Sequence, residues 1–265
     1  MIVDGRALAS QIIAVLKEGI SVFGETPVLT VFTCAPNFET KKFLALKERR
    51  AKEAGIAVRV VELPEGVLLS AVQEAVNQAV LVSDGVIIQF PFPHLATKDL
   101  IPLIPASHDV DMMIYDGQTG GLLPPVVGAI AAISDAHGVT WEGREVVVVG
   151  NGRLVGAPAA DYAASRGAVV KVVTKDSNTL AATKTADIVI LGAGVPGLLT
   201  YDMVKEGVVV FDAGTSEEGG MLVGDADPAV AEKARLFTPV PGGIGPLTVA
   251  ILLKNVLYLA KNHRV

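Results

Sequence analysis

The chain lacks several features that mark specialised classes of protein. Its 265 residues include one cysteine, Cys34, so no disulfide can form within the chain and a reducing compartment is expected. The formal net charge is -6, and no Lys/Arg-rich run stands out beyond the segment 47–52, where Glu48 interrupts the basic residues. This pattern excludes the electrostatic footprint of a nucleic-acid-binding protein.

Signals for membranes, secretion and metals are also missing. No uncharged apolar run reaches the length that crosses a bilayer, and Asp4 and Arg6 interrupt the region where a signal peptide needs an apolar core. The four histidines show no HExxH or cysteine-based spacing. We therefore expect a cytoplasmic protein with no nucleic-acid partner, no membrane partner and no metal.

Apolar residues, in contrast, are abundant. They make up 51% of the chain and charged residues only 19%, which is typical of buried parallel strands covered by Ala-rich helices. Apolar runs alternate with segments of helical periodicity, so the sequence predicts an α/β fold, with enough length for two domains. The predicted strands are 28–33, 56–63, 85–89, 146–149, 168–174, 188–191 and 208–211. The predicted helices are one from Asp4 to a stop at Gly19, then 39–54 closed by Gly55, 67–80, 128–137 and 247–261.

A glycine turn follows the fourth predicted strand. The four valines 146–149 lead into Gly150, Gly152 and Gly156, which predicts a strand, a tight turn and a helix. The free N–H groups and the dipole at the start of that helix favour a pyrophosphate. Because the spacing is GxGxxxG and not GxGxxG, a tight turn without a ligand is an open alternative for this motif.

One helix face and one strand end carry residues that could bind a ligand or take part in catalysis. Thr40, Phe43 and Lys47 share a face, so a flat ligand could stack on Phe43 beneath Lys47. Spacing alone favours the alternative, in which Phe43 is core and the Lys47 amine reaches solvent. Gln89 ends an apolar strand, where its amide would either orient another polar group or hydrogen-bond to the nearby loop backbone.

Two later loops have unusual composition. Asp109 and Asp111 flank Val110, so both point to the same side of an extended segment and one could accept N–H donors from a heterocycle; the alternative is that they cap turns. Segment 238–248 contains three prolines and three glycines before an apolar helix. Such a loop is stiff at proline and open to a ligand at glycine.

Together these motifs resemble the bifunctional methylenetetrahydrofolate dehydrogenase/methenyltetrahydrofolate cyclohydrolase family over essentially the whole chain. Segment 238–248 nearly matches the family's TPVPGGVGPMT, and QFPFP at 89–93 corresponds to its QLPLP. Residues 109–111 match the start of its DVDG. The remaining matches are Asp4-Gly5, Lys47 ahead of Gly55, Val155-Gly156-Ala157-Pro158 and Val223-Gly224-Asp225.

The resemblance implies two α/β domains with a folate cleft between them. Residues 1–121 plus 248–265 would form the folate-binding catalytic domain, which the C-terminal helix completes. Residues 122–247 would form a Rossmann-type, NAD(P)-binding domain with a parallel sheet. The first boundary lies near Gly121, at the end of the Gly-rich stretch 117–121.

The resemblance also assigns the site residues by position. The implied catalytic residues are Lys47, its hydrogen-bonding partner Gln89, and Asp111, which would anchor the pterin. The implied substrate-binding residues are Phe43, Asp111, Pro241, Gly242 and Gly243. The implied cofactor-binding residues are Gly150, Asn151, Gly152, Arg153, Lys175 and Thr215.

The implied chemistry has two steps in one pocket. NADP takes hydride from 5,10-methylenetetrahydrofolate, and water converts the resulting 5,10-methenyltetrahydrofolate to 10-formyltetrahydrofolate. A lysine with its ordinary pKa of about 10.4 is a poor proton shuttle at neutral pH, so Lys47 needs desolvation or the nearby substrate cation to lower its pKa. The family also implies a homodimer that acts on tetrahydrofolate one-carbon derivatives.

Departures from the family pattern leave alternatives open. Phe43 stands where tyrosine is usual, so one alternative is a dehydrogenase with weak or absent cyclohydrolase activity. Asn151 stands where many members have arginine; Arg153 or Lys175 could replace that contact with NADP, whereas Asp176 would favour NAD. Met112 replaces a usual glycine. Two further alternatives are a folate- or nucleotide-binding protein without turnover, and an unrelated hydroxy-acid dehydrogenase, which leaves segment 238–248 unexplained.

Overall fold

The structure, a computed structural model, describes residues 1–115, 121–174 and 179–263. Its contacts divide the chain into two compact units. The N-terminal unit consists of Ser10–Ile114 and Val249–Val265, and the central unit consists of Met1–Ala9 and Tyr115–Thr248. Each unit contains its own parallel sheet.

The N-terminal unit is built on a small parallel sheet. Its strands are β1 (Val28–Cys34), β2 (Ala57–Leu63) and β3 (Gly85–Ile88), and the first helices of the chain are α1 (Gly5–Phe23), α2 (Phe38–Ala54), α3 (Leu69–Val80) and α4 (Thr97–Leu100). The strand order is β2-β1-β3. The central strand is buried on both faces, as an apolar run predicts for a parallel sheet. The three predicted strands of this unit are confirmed to within one residue at each end.

The ends of α2 follow from local capping. The Asn37 side chain accepts a hydrogen bond from the Thr40 N–H at 2.8 Å, which satisfies one of the free donors of the first turn. Gly55 ends the helix in the left-handed region with φ 89°. The predicted closure of this helix at Gly55 is confirmed, and α2 therefore has a fixed register along the sheet.

The predicted end of the first helix at Gly19 is wrong. α1 continues to Phe23, and the chain turns at Gly24, which has φ 79°. Gly19 lies inside the helix and packs on Leu257, where an added Cβ would come within 3.4 Å of the leucine side chain. The glycine thus permits close helix packing instead of ending the helix, and tertiary contact outweighs its low helix propensity.

Cys34 ends β1 inside the core. Its side chain is 0% exposed, and its thiol donates to the Pro64 carbonyl at an Sγ–O distance of 3.5 Å. Burial raises the pKa of the thiol, and the charges of Glu65 and Glu62 raise it further. The prediction that Cys34 is a small core residue is confirmed.

The central unit is built on a larger parallel sheet. Its strands and helices are β4 (Glu145–Val149), β5 (Val169–Val173), β6 (Ile188–Leu191), β7 (Val209–Asp212), β8 (Ser216–Glu218), β9 (Met221–Val223), β10 (Leu236–Phe237), α5 (Pro125–Ala136), α6 (Gly156–Ser165) and α7 (Thr179–Thr183). The order in the main sheet is β10-β7-β6-β4-β5, and β8 and β9 form an antiparallel hairpin. The four predicted strands of this unit are confirmed to within one residue at each end.

The start of the chain pairs with the edge of this larger sheet. The Val3 N–H donates to the Phe237 carbonyl at 2.9 Å, and the Phe237 N–H donates to the Met1 carbonyl at 2.9 Å. These bonds place residues 1–9 in the central unit, whereas the sequence groups them with the N-terminal domain. The functional boundaries stay a prediction, and most of the stretch 117–121 lies outside the described residues.

The last helix, α8 (Ile244–Asn262), begins before the predicted start at Leu247. Pro246 lies in its first turn, where a missing N–H costs nothing. α8 is long and apolar enough to cross a bilayer, but 67% of its most apolar window is buried inside the protein, as in a core helix. The run is also interrupted by Lys254.

We predict that Gly156→Ala destabilises the protein although alanine favours helices. In an ordinary helix interior the change from glycine to alanine gains about 1 kcal/mol. At Gly156, a Cβ would collide with the carbonyl oxygen of Gly150, which cannot yield without moving the turn. We expect a net loss of about 2 kcal/mol in the free energy of unfolding, measured by urea denaturation.

Gly245→Ala is the matched control for this change. Gly245 also lies in the first turn of a helix, and a Cβ there would meet nothing within 4 Å. This variant should be neutral or slightly stabilising. Equal free energies of unfolding for the two variants would contradict the close contact at the turn.

Candidate functional site

The first candidate site lies in the N-terminal unit, around a buried amine. Lys47 on α2 is only 8% exposed, and its Nζ donates to Gln89 Oε1 at 2.6 Å. Gln89 directly follows β3, and its Nε2 donates to the Phe90 carbonyl at 3.2 Å. Both interpretations of Gln89 therefore hold, because one end of its amide orients an amine and the other end bonds to the loop backbone. The alternative in which the Lys47 amine reaches solvent is wrong.

The charges at this site are coupled. Burial lowers the pKa of Lys47, and the negative charge of Asp111 opposes this shift. Burial likewise raises the pKa of Asp111, and the charge of Lys47 opposes that shift. The pair therefore contains an amine that releases its proton more readily than a free lysine, which suits proton transfer near neutral pH.

An accessible aromatic ring lies one helical turn before the amine. Phe43 is 36% exposed, so the alternative that it belongs to the core is wrong. Thr40, on the same face, is 4% exposed and belongs to the interior. This face of α2 thus combines a ring that a flat ligand can reach with an amine that water reaches poorly.

The acidic segment after β3 forms a turn and not the predicted extended segment. Asp109 Oδ2 accepts a hydrogen bond from the Met113 N–H at 2.7 Å, so the turn-capping alternative is confirmed for Asp109. Asp109 Oδ1 is buried and has no hydrogen-bond partner among the described residues. Burial, together with the charge of Asp111, raises the pKa of Asp109 to about 6. Met112 has φ 52°, in the left-handed region where the family has glycine.

The turn is also held from two other elements. The Val86 N–H of β3 donates to the His108 carbonyl at 2.8 Å, and Asn255 Nδ2 of α8 donates to the Val110 carbonyl at 2.9 Å. The last helix therefore fixes the backbone beside Asp111. This hydrogen bond is one way in which the C-terminal helix completes the N-terminal unit, as the family resemblance implies.

The second candidate site lies at the carboxyl edge of the larger sheet. Gly150 has φ 101°, and a Cβ on it would lie 2.7 Å from the Gly192 carbonyl oxygen. Asn151, Gly152 and Arg153 are exposed. The chain thus turns sharply after β4. The residues at the tip of the turn are open to solvent.

The strand order identifies where a ligand would bind. β4 has β5 on one side and β6 on the other, so the chain runs from β4 to β5 on one side and the next connection crosses back to β6 on the other side. In open parallel sheets, ligands bind in the crevice outside the carboxyl ends of strands at such a switch point. Here that crevice is bounded by the glycine turn 150–156 and by the loop 192–195 after β6, and we call it the switch-point crevice.

Two buried carboxylates support the loops at this edge. Asp225 is 0% exposed and accepts hydrogen bonds from the N–H groups of Ala193, Gly194 and Val195 at 2.7, 3.0 and 2.8 Å. Asp212 is 1% exposed and accepts from the N–H groups of Gly214, Asp225 and Ala226 at 3.0, 3.2 and 2.9 Å. Neither aspartate has a predicted role, although Asp225 lies in the family-like segment 223–225 and Asp212 directly follows the predicted strand 208–211.

The remaining predicted residues lie in the central unit or outside the described chain. Thr215 is exposed and directly follows Gly214. Pro241 is exposed, and Gly242 has φ 117° and accepts a hydrogen bond on its carbonyl from the Gly5 N–H at 2.9 Å. Gly243 is buried, whereas Lys175 lies outside the described residues.

Two family models match the chain. The catalytic-domain model of tetrahydrofolate dehydrogenase/cyclohydrolase matches residues 3–111, and the NAD(P)-binding-domain model of the same enzymes matches residues 124–264. The chain belongs to the tetrahydrofolate dehydrogenase/cyclohydrolase family. The resemblance inferred from the motifs is confirmed.

Individual members of this family match over their whole length. The chain is 36% identical over 282 residues to the bifunctional protein FolD of Halothermothrix orenii, with 100% of this chain and 99% of that protein covered. A solved structure of the bifunctional FolD methylenetetrahydrofolate dehydrogenase/cyclohydrolase of Campylobacter jejuni superposes with a TM-score of 0.94 at 32% identity, covering 99% of each chain. That of the Trypanosoma brucei enzyme, complexed with NADP and an inhibitor, gives 0.93 at 30% identity and covers 100% of this chain and 98% of that chain. The predicted two-domain α/β fold is confirmed.

We predict that Asp109→Asn removes part of the pH dependence of stability. The folded chain holds the Asp109 proton up to about pH 6, whereas a free carboxyl has an ordinary pKa of 3.8. The folded state therefore binds more protons across this window, and ionisation of Asp109 lowers stability as the pH rises. The stability of Asp109→Asn relative to wild type should increase between about pH 4 and about pH 7, by at most about 3 kcal/mol.

Asparagine keeps an acceptor for the Met113 N–H, so the turn itself is preserved. Asp187→Asn is a control of opposite sign, because a hydrogen bond from Lys205 lowers the pKa of Asp187 and its ionised form stabilises the fold. Denaturant titrations at several pH values measure both variants. Parallel curves for wild type and Asp109→Asn would contradict the prediction.

Proposed function

We propose that the protein oxidises 5,10-methylenetetrahydrofolate to 5,10-methenyltetrahydrofolate with NADP and then hydrolyses this product to 10-formyltetrahydrofolate. The observation that carries the proposal is the buried Lys47 amine, held by Gln89 at 2.6 Å one helical turn from the exposed ring of Phe43. Membership of the family and similarity to proteins named as bifunctional enzymes support both steps.

In the hydrolytic step, Lys47 moves the proton. Burial lowers the pKa of Lys47 and so increases the neutral amine at neutral pH. The Lys47 amine takes one proton from water as the water oxygen bonds to the methenyl carbon, and this proton then passes to N5 as the N5–carbon bond breaks. The remaining hydroxyl proton leaves to solvent as the formyl C=O forms on N10. Gln89 orients Nζ through an uncharged oxygen, so it does not raise the amine pKa as a carboxylate would.

Substrate orientation belongs to the residues around the amine. Phe43 offers its exposed ring for stacking against the pterin, and Asp111 accepts N–H donors of the pterin through its carboxylate. Pro241, Gly242 and Gly243 supply a loop that is stiff and free of bulky side chains, and we assign them to the folate site by their match to the family motif.

The switch-point crevice fits a nicotinamide dinucleotide. Gly150 and Gly156 leave no Cβ in the turn, and Asn151, Gly152 and Arg153 are exposed for contact with the pyrophosphate and ribose. When bound there, NADP supplies the nicotinamide C4 that accepts the hydride. The N–H groups at the start of α6 favour the negative charge of the pyrophosphate.

We assign NADP and not NAD as the cofactor. The family relative from Trypanosoma brucei was solved with NADP, and Arg153 and Lys175 offer two cations for a 2′-phosphate. NAD is the alternative, because Asn151 replaces an arginine usual in the family. Initial rates with 5,10-methylenetetrahydrofolate and each cofactor decide between them, and a higher kcat/KM with NAD would overturn the assignment.

We further infer a cytoplasmic homodimer without a nucleic-acid or membrane partner. A single cysteine, 0% exposed, and the net charge of -6 support the compartment and the absence of a nucleic-acid partner. The dimer is expected from the family. Analytical ultracentrifugation of the purified chain measures it, and a monomer at micromolar concentration would contradict it.

We predict that Lys47→Met removes the cyclohydrolase activity and lowers thermal stability. The variant lacks the proton-transfer group, which contributes about 10²- to 10⁴-fold to such reactions. It also leaves Gln89 Oε1 without its donor and the Asp111 carboxylate without its counter-charge, and removing one partner of a buried pair lowers stability. Absorbance of methenyl-folate measures the hydrolysis, and calorimetry measures the unfolding temperature.

Lys41→Met is the matched control for that change. Lys41 lies on the same helix but is exposed, so its replacement should leave both hydrolysis and stability close to wild type. A Lys47→Met variant as active as Lys41→Met would remove the assigned mechanism.

We predict that Phe43→Tyr increases cyclohydrolase activity more than dehydrogenase activity. The exposed ring has room for a hydroxyl, which tyrosine would bring one turn from the Lys47 amine. Stacking is kept, so the KM for folate should stay within about twofold, because ring area is almost unchanged. Both activities are measured by the appearance and loss of methenyl absorbance. Methenyl-folate that accumulates without hydrolysis in wild type would instead identify a dehydrogenase alone.

A further inference from the structure

We propose that the Asp225 carboxylate is a positioning residue that sets one wall of the switch-point crevice and thereby the affinity for the nicotinamide cofactor. The inference rests on the proposed function, because it assumes that the crevice receives NADP. It adds a residue that acts through the backbone of a neighbouring loop without touching the cofactor itself.

The contacts of Asp225 are specific to one loop. Its Oδ2 accepts from the N–H groups of Ala193 and Gly194, and its Oδ1 accepts from the N–H of Val195. Three consecutive backbone N–H groups therefore donate to one carboxylate that lies 30 to 32 positions further along the chain. Loops are otherwise the most mobile part of such a sheet, so these bonds fix the backbone after β6.

This loop touches the glycine turn directly. A Cβ on Gly192 would collide with the Val155 side chain, and a Cβ on Gly150 would lie 2.7 Å from the Gly192 carbonyl oxygen. The glycine turn and the loop after β6 are therefore in such close contact that neither can move without the other. The position of the loop 192–195 consequently determines the width of the switch-point crevice.

Asp225 is itself held in place by a second carboxylate. Asp212, the last residue of β7, accepts from the N–H groups of Asp225 and Ala226. A Cβ on Gly214 would collide with the Asp225 carboxylate, and one on Gly224 would collide with that of Asp212. The segment from β7 through Asp225 to the loop after β6 is therefore closely packed. The position of this loop beside the crevice is thus fixed by the sheet.

Asp225→Asn is the informative replacement. Its side-chain oxygen can still accept from some of the loop N–H groups, but its NH₂ group faces a donor where a carboxylate oxygen accepted one. The loop must then shift or leave donors unpaired. We expect the KM for NADP and the Kd for NADPH to rise by about tenfold or more.

The two proposed activities separate a local effect from a global one. Hydrolysis of supplied methenyl-folate uses no nicotinamide, so it should stay within about twofold of wild type, since distant sites behave independently. Dehydrogenase kcat at saturating NADP should change much less than KM. Steady-state rates, NADPH fluorescence titration and thermal unfolding of the full chain measure these quantities.

Asp187→Asn is the matched control. Asp187 directly precedes β6, at the opposite end of the strand from the loop, and accepts from the Glu145 N–H at 3.0 Å. Asp187→Asn removes the same negative charge as Asp225→Asn, and the KM of this variant for NADP should remain at the wild-type value. An unchanged Kd for NADPH in Asp225→Asn, or an equal loss of both activities, would overturn the proposal.

A second variant decides the matter if Asp225→Asn does not fold. Ser216 Oγ donates to the Gly194 carbonyl at 3.1 Å, which is the contact that holds the same loop from the surface. Ser216→Ala should raise the KM for NADP by about threefold, since one exposed hydrogen bond is lost. A value equal to wild type would overturn the proposal. Wild-type protein that binds NADPH but turns over no folate would refute the proposed function alone, because the Kd comparison does not need turnover.

Discussion

The N-terminal unit depends on keeping the Lys47 amine out of water, beside the neutral amide of Gln89 and within reach of the Asp111 charge. Lys47 donates to Gln89 at 2.6 Å, and desolvation of the ammonium is a cost that the surrounding fold must offset. That requires the helix and strand that carry the two residues to be fixed against each other. Capping by Asn37 and Gly55 sets the ends of α2, and pairing with β1 sets β3. The chemistry of the amine is therefore a product of the secondary structure around it.

The central unit solves a related problem with the opposite charge. Asp212 is buried at the end of β7 and Asp225 is buried two residues after β9, and each accepts hydrogen bonds from three backbone N–H groups. Burial raises the pKa of Asp212 to about 6 despite these bonds. The two units thus share one feature, an ionisable side chain buried near the edge of a parallel sheet. The burial of Asp212 is opposed by hydrogen bonds from backbone N–H groups, whereas the burial of Lys47 is opposed by the charge of Asp111.

The sequence predicts the fold better than the environment of the site. Runs of valine and isoleucine identify seven strands correctly, because both faces of a parallel strand must be apolar. The short strands β8 to β10 are missed, since two or three residues carry no periodicity. Helical spacing places Phe43 and Lys47 on one face but cannot say which of them is exposed, and the structure reverses the expected arrangement. The contacts of Asp225 are missed for a different reason: they join segments thirty or more positions apart, which local pattern cannot detect.

The burial of Cys34 has a practical consequence. Its thiol is 0% exposed at the end of β1, and its raised pKa keeps the reactive thiolate scarce. Alkylating reagents can reach it only when the strand separates from its neighbours. Because the sequence contains no other sulfhydryl, the rate of its labelling would report transient opening of one sheet in an otherwise native enzyme, without any engineered probe.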